Sequence, residues 1–199
     1  MCRLILFFVG FICLVPVCRA QDTLTVNDVK VIKARSEITI ERYFNNLLNT
    51  ISYTGAENTD IRDLINRSFD DSDKQIFLNN QIAVADDISD PEYSNSSNAP
   101  ELPVIRYLNA FNTFYGKSDA NSVYFSDVRT SPVKKGKKNI YIDVYFTSYF
   151  KNICLTRPST PYKPTKRVAE IFIKKGANNK WLLYISRIGF FNPADSGND

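Results

Sequence analysis

The hydrophobic period of this chain changes for good at Gly116. Before that point apolar residues mostly recur every three or four positions, the repeat of a helix with one buried face. After it they alternate, the repeat of strands. Ile40, Tyr43, Phe44, Leu47, Leu48 and Ile51 predict a first helix over 34–52, stopped at Gly55 by a left-handed cap. Ile61, Leu64, Ile65 and Phe69 predict a second over 60–69, with Asp60 as N-cap. Val104, Tyr107, Leu108, Phe111, Phe114 and Tyr115 predict a third over 102–115. Between the second and third, 74–87 reads as short extended pieces around an Asn79-Asn80 turn, and 88–101 as a loop. Strands follow over 121–130, 139–152, 166–175 and 180–191, joined by turn-forming runs such as SPVKKGKKN and LTRPSTPYKPT. Helices gathered ahead of a meander cannot build a doubly wound parallel sheet. They predict an α+β fold, with three N-terminal helices packed on a strongly curved antiparallel sheet.

The first twenty residues are read differently. Arg3, an apolar run from Leu4 to Val15, and Cys18-Arg19-Ala20 make an export signal cleaved before Gln21. The run is short for a membrane span, so no integral membrane segment is expected after cleavage. Lipidation at Cys18 is the rival reading. It is disfavoured by Pro16 and Val17, where a lipobox takes small residues. Residues 21–33 read as an extended lead-in, 34–191 as one domain, and 192–199 as a flexible tail.

Cleavage would remove Cys2, Cys13 and Cys18 and leave Cys154, so the exported chain would hold no internal disulfide. That favours a bacterial periplasmic or cell-surface setting over a small eukaryotic secreted scaffold. The Asn66-Arg67-Ser68 and Asn95-Ser96-Ser97 sequons would then carry no sugar. The net charge of +4 includes Arg3 and Arg19, so about +2 would remain, too little to argue for nucleic acid. The KKGKK run at 134–138 reads as a solvated turn, with acidic glycans or anionic lipid as the functional alternative.

The order of elements resembles the nuclear-transport-factor-2-like superfamily, the cone-shaped fold shared with ketosteroid isomerase and the SnoaL-like cyclases. The resemblance rests on ERYFNNLLNTI, IRDLINRSF and VIRYLNAFNTFYG as its helices, and on NIYIDVYFTSYF and WLLYISRIGFF as closing strands. It covers about 30–191. It implies a sheet wrapped around the helices, a pocket at the open end of the cone, and a convex face on which two subunits pack.

Chemistry is sparse. Histidine is absent, which removes histidine triads, histidine metal sites and scytalone-dehydratase-like chemistry, and a single remaining cysteine cannot build a zinc site. The acidic DDSD run lacks the spacing of a calcium loop. No metal or cofactor is expected. Asp143, flanked by Tyr141 and Tyr145, is the nearest match to an aspartate base beside phenol donors, and Arg187 is placed to orient an anion. The same four residues also fit a strand-face carboxylate with a cross-strand arginine. Strand parity separates the readings. If Ile140, Ile142, Val144 and Phe146 face the helices, the tyrosines and Asp143 point outward, toward a second copy; inverted, they line the pocket. The outward assignment is the one carried forward. The chain is thus read as an exported, non-catalytic module that binds a small hydrophobic ligand or a protein, with a homodimer across the convex face. The alternative is an isomerase- or cyclase-type enzyme.

Overall fold

The computed structural model describes residues 24–70, 73–89, 99–136, 139–176 and 180–191. The expected signal segment, Asn95, Lys137, Lys138 and the tail lie outside these residues. The fold is α+β: three helices and a mixed seven-stranded sheet that is not strongly curled or closed.

The first helix is longer than its pattern suggests. It runs through three consecutive segments: α1 (Val26–Ile38), a π-helical stretch (Thr39–Phe44) and α2 (Asn45–Ile51). The expected extended lead-in is therefore helical from Val26. What decides this is a capping box. Thr25 Oγ1 accepts from the Asp28 N–H at 3.1 Å, and Asp28 returns the bond to the Thr25 N–H at 2.9 Å, satisfying two donors that a helix start leaves orphaned. The indole of Trp181 also donates to Asp28, at 2.8 Å. Bonds from the Thr25 and Trp181 side chains hold the Asp28 carboxyl down to about 2.

The π stretch has a cause in residue spacing. The buried positions Ile32, Ser36, Ile40, Phe44 and Leu48 recur every four residues. Four such steps overshoot a straight α-helix by about 160°. Wider i→i+5 turns take up the excess and keep one face on the core. Tyr43, expected on the buried stripe, is instead 56% exposed.

α3 (Asn58–Arg67) starts two residues before the expected cap. Glu57 is its N-cap, with no side-chain bond, and Asp60 lies in the first turn. α4 (Val104–Phe114) directly follows the short strand Glu101–Pro103. The described glycines are not left-handed, Gly55 included; the left-handed residue is Asp127 (φ 54°), where the strand Val123–Thr130 slips register against the strand Ile140–Phe150 between Ser126 and Arg129.

The strands are β1 (Ala83–Ala85), β2 (Glu101–Pro103), β3 (Val123–Thr130), β4 (Lys134–Lys135), β5 (Ile140–Phe150), β6 (Thr165–Lys175) and β7 (Trp181–Phe190). Their order is β2-β1-β7-β6-β5-β3, with β4 beside β5. The expected meander holds from β3 through β5 and β6 to β7, all antiparallel. Beyond β7 it does not. β1 pairs parallel to β7 through Ala83–Arg187 and Val84–Ile188, and an isolated parallel bridge joins Phe77 to Ile185. Chain preceding α4 thus extends the sheet outward, where a wrapped cone would need it to close.

One face of the sheet packs on the helices. Ile142, Val144 and Phe146 of β5, Ala169, Ile171 and Ile173 of β6, and Ile185 and Ile188 of β7 are buried against Phe44, Leu48, Leu108 and Phe111. Each of these side chains larger than Ala169 contributes about 1.5–3 kcal/mol on leaving water. Phe44 meets Phe125 at 5.4 Å, and Phe125 meets Phe146 at 4.9 Å.

Cys154 is a buried free thiol whose Sγ lies 3.2 Å from the Ile88 carbonyl and 2.9 Å from Thr156 Oγ1. A serine hydroxyl can keep both contacts. Cys154→Ser should therefore change stability by less than about 1 kcal/mol in urea titration, and non-reducing gels of the wild type should show monomer alone. A disulfide-linked dimer would contradict this.

Candidate functional site

The strand parity is the outward one. Asp143, Tyr141 and Tyr145 lie on the face turned away from the helices, between the buried Ile142, Val144 and Phe146. They do not form a site with Arg187. Asp143 pairs with Lys134 at 3.2 Å, whereas Arg187 pairs with Glu101 at 2.5 Å. In register the two belong to strands separated by Glu170 of β6, whose carboxylate accepts from Ser186. The cross-strand Asp143–Arg187 pairing expected from sequence is therefore absent.

The tyrosines are not a bare patch either. Tyr141 packs on Phe172 at 5.6 Å, and Tyr145 meets Phe191 edge-on at 4.9 Å with Arg129 over its ring. A shallow pocket of about 230 Å³ lies beside Tyr145, Asp127, Arg129 and Lys166. The tyrosines that stay exposed on this face are Tyr124 and Tyr149.

The acid–phenol constellation lies on the other face, on residues the sequence reading passed over. Asp87 (0% exposed) accepts from Arg167 Nη1 at 2.8 Å, from the Tyr107 hydroxyl at 3.0 Å and from the Tyr162 hydroxyl at 2.6 Å. Arg167 is 1% exposed; its Nη2 donates to the Ala85 carbonyl at 2.6 Å, and its guanidinium lies 5.6 Å from the Tyr107 ring centroid and 5.7 Å from that of Phe190. Ser148 Oγ joins Tyr162 at 2.7 Å.

Local structure aims each group. Asp86 caps the turn after β1 by accepting the Ile88 and Ser89 N–H groups, which directs the next side chain inward. Arg167 is at an inward position of β6, in phase with Ala169 and Ile171. Tyr107 comes from the first turns of α4, and Tyr162 from the Pro-rich loop before β6.

Electrostatics make this cluster a lock. Burial works against the Arg167 charge, but Asp87 and the two phenols more than offset it and the pKa is raised. Burial, then the negative charge of Asp87, pushes both Tyr107 and Tyr162 well above the ordinary phenol value. The ion pair and the two phenolic hydrogen bonds take three of the roughly four lone-pair positions of this buried carboxylate. Arg167 Nε is buried without a partner among the described residues.

The open site is elsewhere, a groove of about 700 Å³ between the long helix, the 73–76 segment and the start of β7. Ile38, Leu47, Leu64, Ile76 and Leu183 give it apolar walls, while Arg35, Thr39, Asn46, Thr50 and Gln75 supply polar groups. The π stretch brings Thr39 and Tyr43 to it. One wall is sheet edge. Ile185 donates to the Ile76 carbonyl and accepts from the Leu78 N–H, but before Ile76 the chain turns away, its own N–H bonding to Ser68. Among the described residues no strand pairs with β7 on this side from Ile185 back towards Trp181. Among the described residues no group of three or more Asp, Glu, Cys or His side chains is placed to hold a metal ion.

No family model, curated protein or solved structure matches the chain.

Proposed function

We propose that this chain is a non-catalytic binding module and that the groove beside the π stretch is its binding site. The observation that carries the reading is the groove itself: it has the volume of a small-molecule or peptide-segment site, apolar walls with a few polar groups, and a sheet edge where Leu183 has no outward backbone partner among the described residues. The state of the acid–phenol cluster supports the non-catalytic half. A general base needs a lone pair directed at substrate, whereas Asp87 is fully buried and bonds Arg167, Tyr107 and Tyr162. The isomerase-type alternative loses Asp143 as a pocket base, because that side chain lies on the outer face.

Export to a bacterial periplasm or surface belongs to the same proposal. It rests on the composition of the first twenty residues, and no helix among the described residues is long and apolar enough to cross a membrane. The helix-before-meander order supports a distant nuclear-transport-factor-2-like relationship, in which an open groove at the sheet edge replaces the enclosed pocket of a cone. Pairing of two copies across the outer face would have to bury Tyr124 and Tyr149 rather than Tyr141 and Tyr145.

The groove can be tested without knowing its ligand. Thr50 is exposed on α2 and lines the groove. Thr50→Trp should fill part of the groove without touching the core. A fluorescent amphiphilic dye should bind the wild type, and the variant should bind it about tenfold more weakly, equivalent to about 1.4 kcal/mol, with the melting temperature unchanged. Equal binding by both proteins, or none by the wild type, would remove the groove as the site.

A further inference from the structure

The groove's sheet edge carries a donor and an acceptor. In the β6–β7 ladder Gly176 donates to the Lys180 carbonyl, and Lys174 is opposite Leu182 and Phe172 opposite Tyr184. Hydrogen-bonded pairs alternate along an antiparallel ladder. Leu182 and Tyr184 therefore turn their backbone groups to β6, while Trp181, Leu183 and Ile185 turn theirs the other way. Two of these three have partners there: Ile185 bonds to Ile76 and Leu78, and the Trp181 carbonyl accepts from Arg35 Nη1. Leu183 lines the groove, and its N–H and C=O have no backbone partner on that side among the described residues. A buried backbone pair left in this state is costly unless water or a ligand takes it up.

A cation marks one end of the same edge. Arg35 is exposed, lines the groove, and bonds the Trp181 carbonyl; it has no carboxylate partner among the described residues. A guanidinium has five N–H donors, so a single carbonyl leaves most of them for an anion. The neighbouring Asp73 is engaged by Arg67 at 3.9 Å.

Building on the groove as the binding site, we infer that the occupant is the carboxyl-terminal end of an extended peptide, added antiparallel to β7 at Leu183 with its terminal carboxylate on Arg35. One peptide residue opposite Leu183 exchanges both hydrogen bonds with it. Antiparallel sense carries the peptide from the Ile76 end towards Trp181, so the chain terminus reaches Arg35 about one residue, or roughly 3.3 Å, further on. A longer chain would run into the Arg35–Trp181 bond, which makes the site one for an end. The penultimate side chain shares the Leu183 side of the sheet, beside Ile38, Leu47 and Ile76, and is therefore apolar. This is strand addition at a sheet edge, with the backbone supplying affinity and alternate side chains supplying selectivity.

The probe is a set of fluorescent tetrapeptides with an apolar penultimate residue, made as free acid, as carboxamide, and as free acid N-methylated at the penultimate residue. Binding is read by fluorescence polarisation against wild type, Arg35→Gln and Thr50→Trp. Free acids should bind the wild type. Amidation, N-methylation and Arg35→Gln should each weaken binding by about tenfold or more, as expected for loss of a charge-assisted or buried hydrogen bond. Arg35→Gln should melt as the wild type does, since the side chain is exposed. Equal binding of acid and amide, or insensitivity to Arg35→Gln, would overturn the inference while leaving the groove intact. Dye binding lost in Thr50→Trp with no peptide binding at all would show that the groove takes a small molecule instead. If neither dye nor peptide binds, the inference fails together with the groove reading on which it rests.

Discussion

Asp87→Ala is expected to destabilise the fold by about 3–5 kcal/mol, a large fraction of the stability of a domain of this size. The loss comes less from the missing attraction than from what is left behind. Arg167, 1% exposed, would keep its charge in the core with the Ala85 carbonyl and the Tyr107 hydroxyl as its remaining acceptors, and the Tyr107 and Tyr162 hydroxyls would lose the carboxylate. The double replacement Asp87→Leu with Arg167→Met should recover most of the loss, because an apolar pair of similar volume avoids the desolvation cost of both ions. Urea unfolding of the two variants provides the comparison. A single-variant loss under about 1 kcal/mol would mean that water reaches the cluster and hydrates the orphaned arginine.

Alkaline unfolding should begin near pH 10 and be driven by the same cluster. Tyr107 and Tyr162 are raised above the ordinary phenol value of 10.0, so each binds its proton more tightly in the folded chain than in the unfolded one. Their stabilising contribution is complete below pH 10 and is lost as pH rises from there towards the folded-state values. Tyrosinate absorbance should show Tyr107 and Tyr162, together with the buried Tyr115 that burial also raises, ionising with loss of structure rather than before it. Tyr162→Phe should leave one fewer such phenol. Smooth ionisation of both in a chain that stays folded would contradict their burial.

The sequence reveals the parts of this fold whose pattern is local. The alternation from Ile140 to Phe150 predicts the correct inward face of β5, and the spacing of Val104, Tyr107, Leu108 and Phe111 predicts α4. Where the pattern has two readings, it misleads. Leu24, Val26 and the valines that follow suggest an extended segment, but the Thr25–Asp28 box, also visible in the sequence, makes a helix. Tyr43 is out of phase because the helix carrying it is not α-helical throughout.

The buried cluster was illegible for a different reason. Arg167 is a charge at an inward strand position, and its burial is tolerable only because Asp87, eighty residues earlier in the chain, meets it there. Each looks like an ordinary surface residue by itself. The groove is assembled from 35–50, 64–68, 73–76 and 182–184, and no short motif records it. Asp143 and Tyr145 drew attention because they are neighbours in sequence; the chemistry that Asp87 and Tyr107 make is between residues that are neighbours only in space.

The π stretch gives the long helix a fixed count. Its extra turn width suits the recurrence of buried residues every four positions from Ile32 to Leu48. An ideal helical rod of the same composition would carry its two ends on different sides, so that either the end anchored by Asp28 to Trp181 or the end at Leu48 would leave the sheet. The helix therefore acts as a gauge: its residue number between the two anchors is as much a part of the design as its residue types. Closing the wide turns between Thr39 and Phe44 at unchanged residue number would matter more than most substitutions there. It would rotate Arg35 and Thr50 relative to one another by about 100°, the step of one α-helical residue, and those two residues stand on either side of the π stretch along the groove.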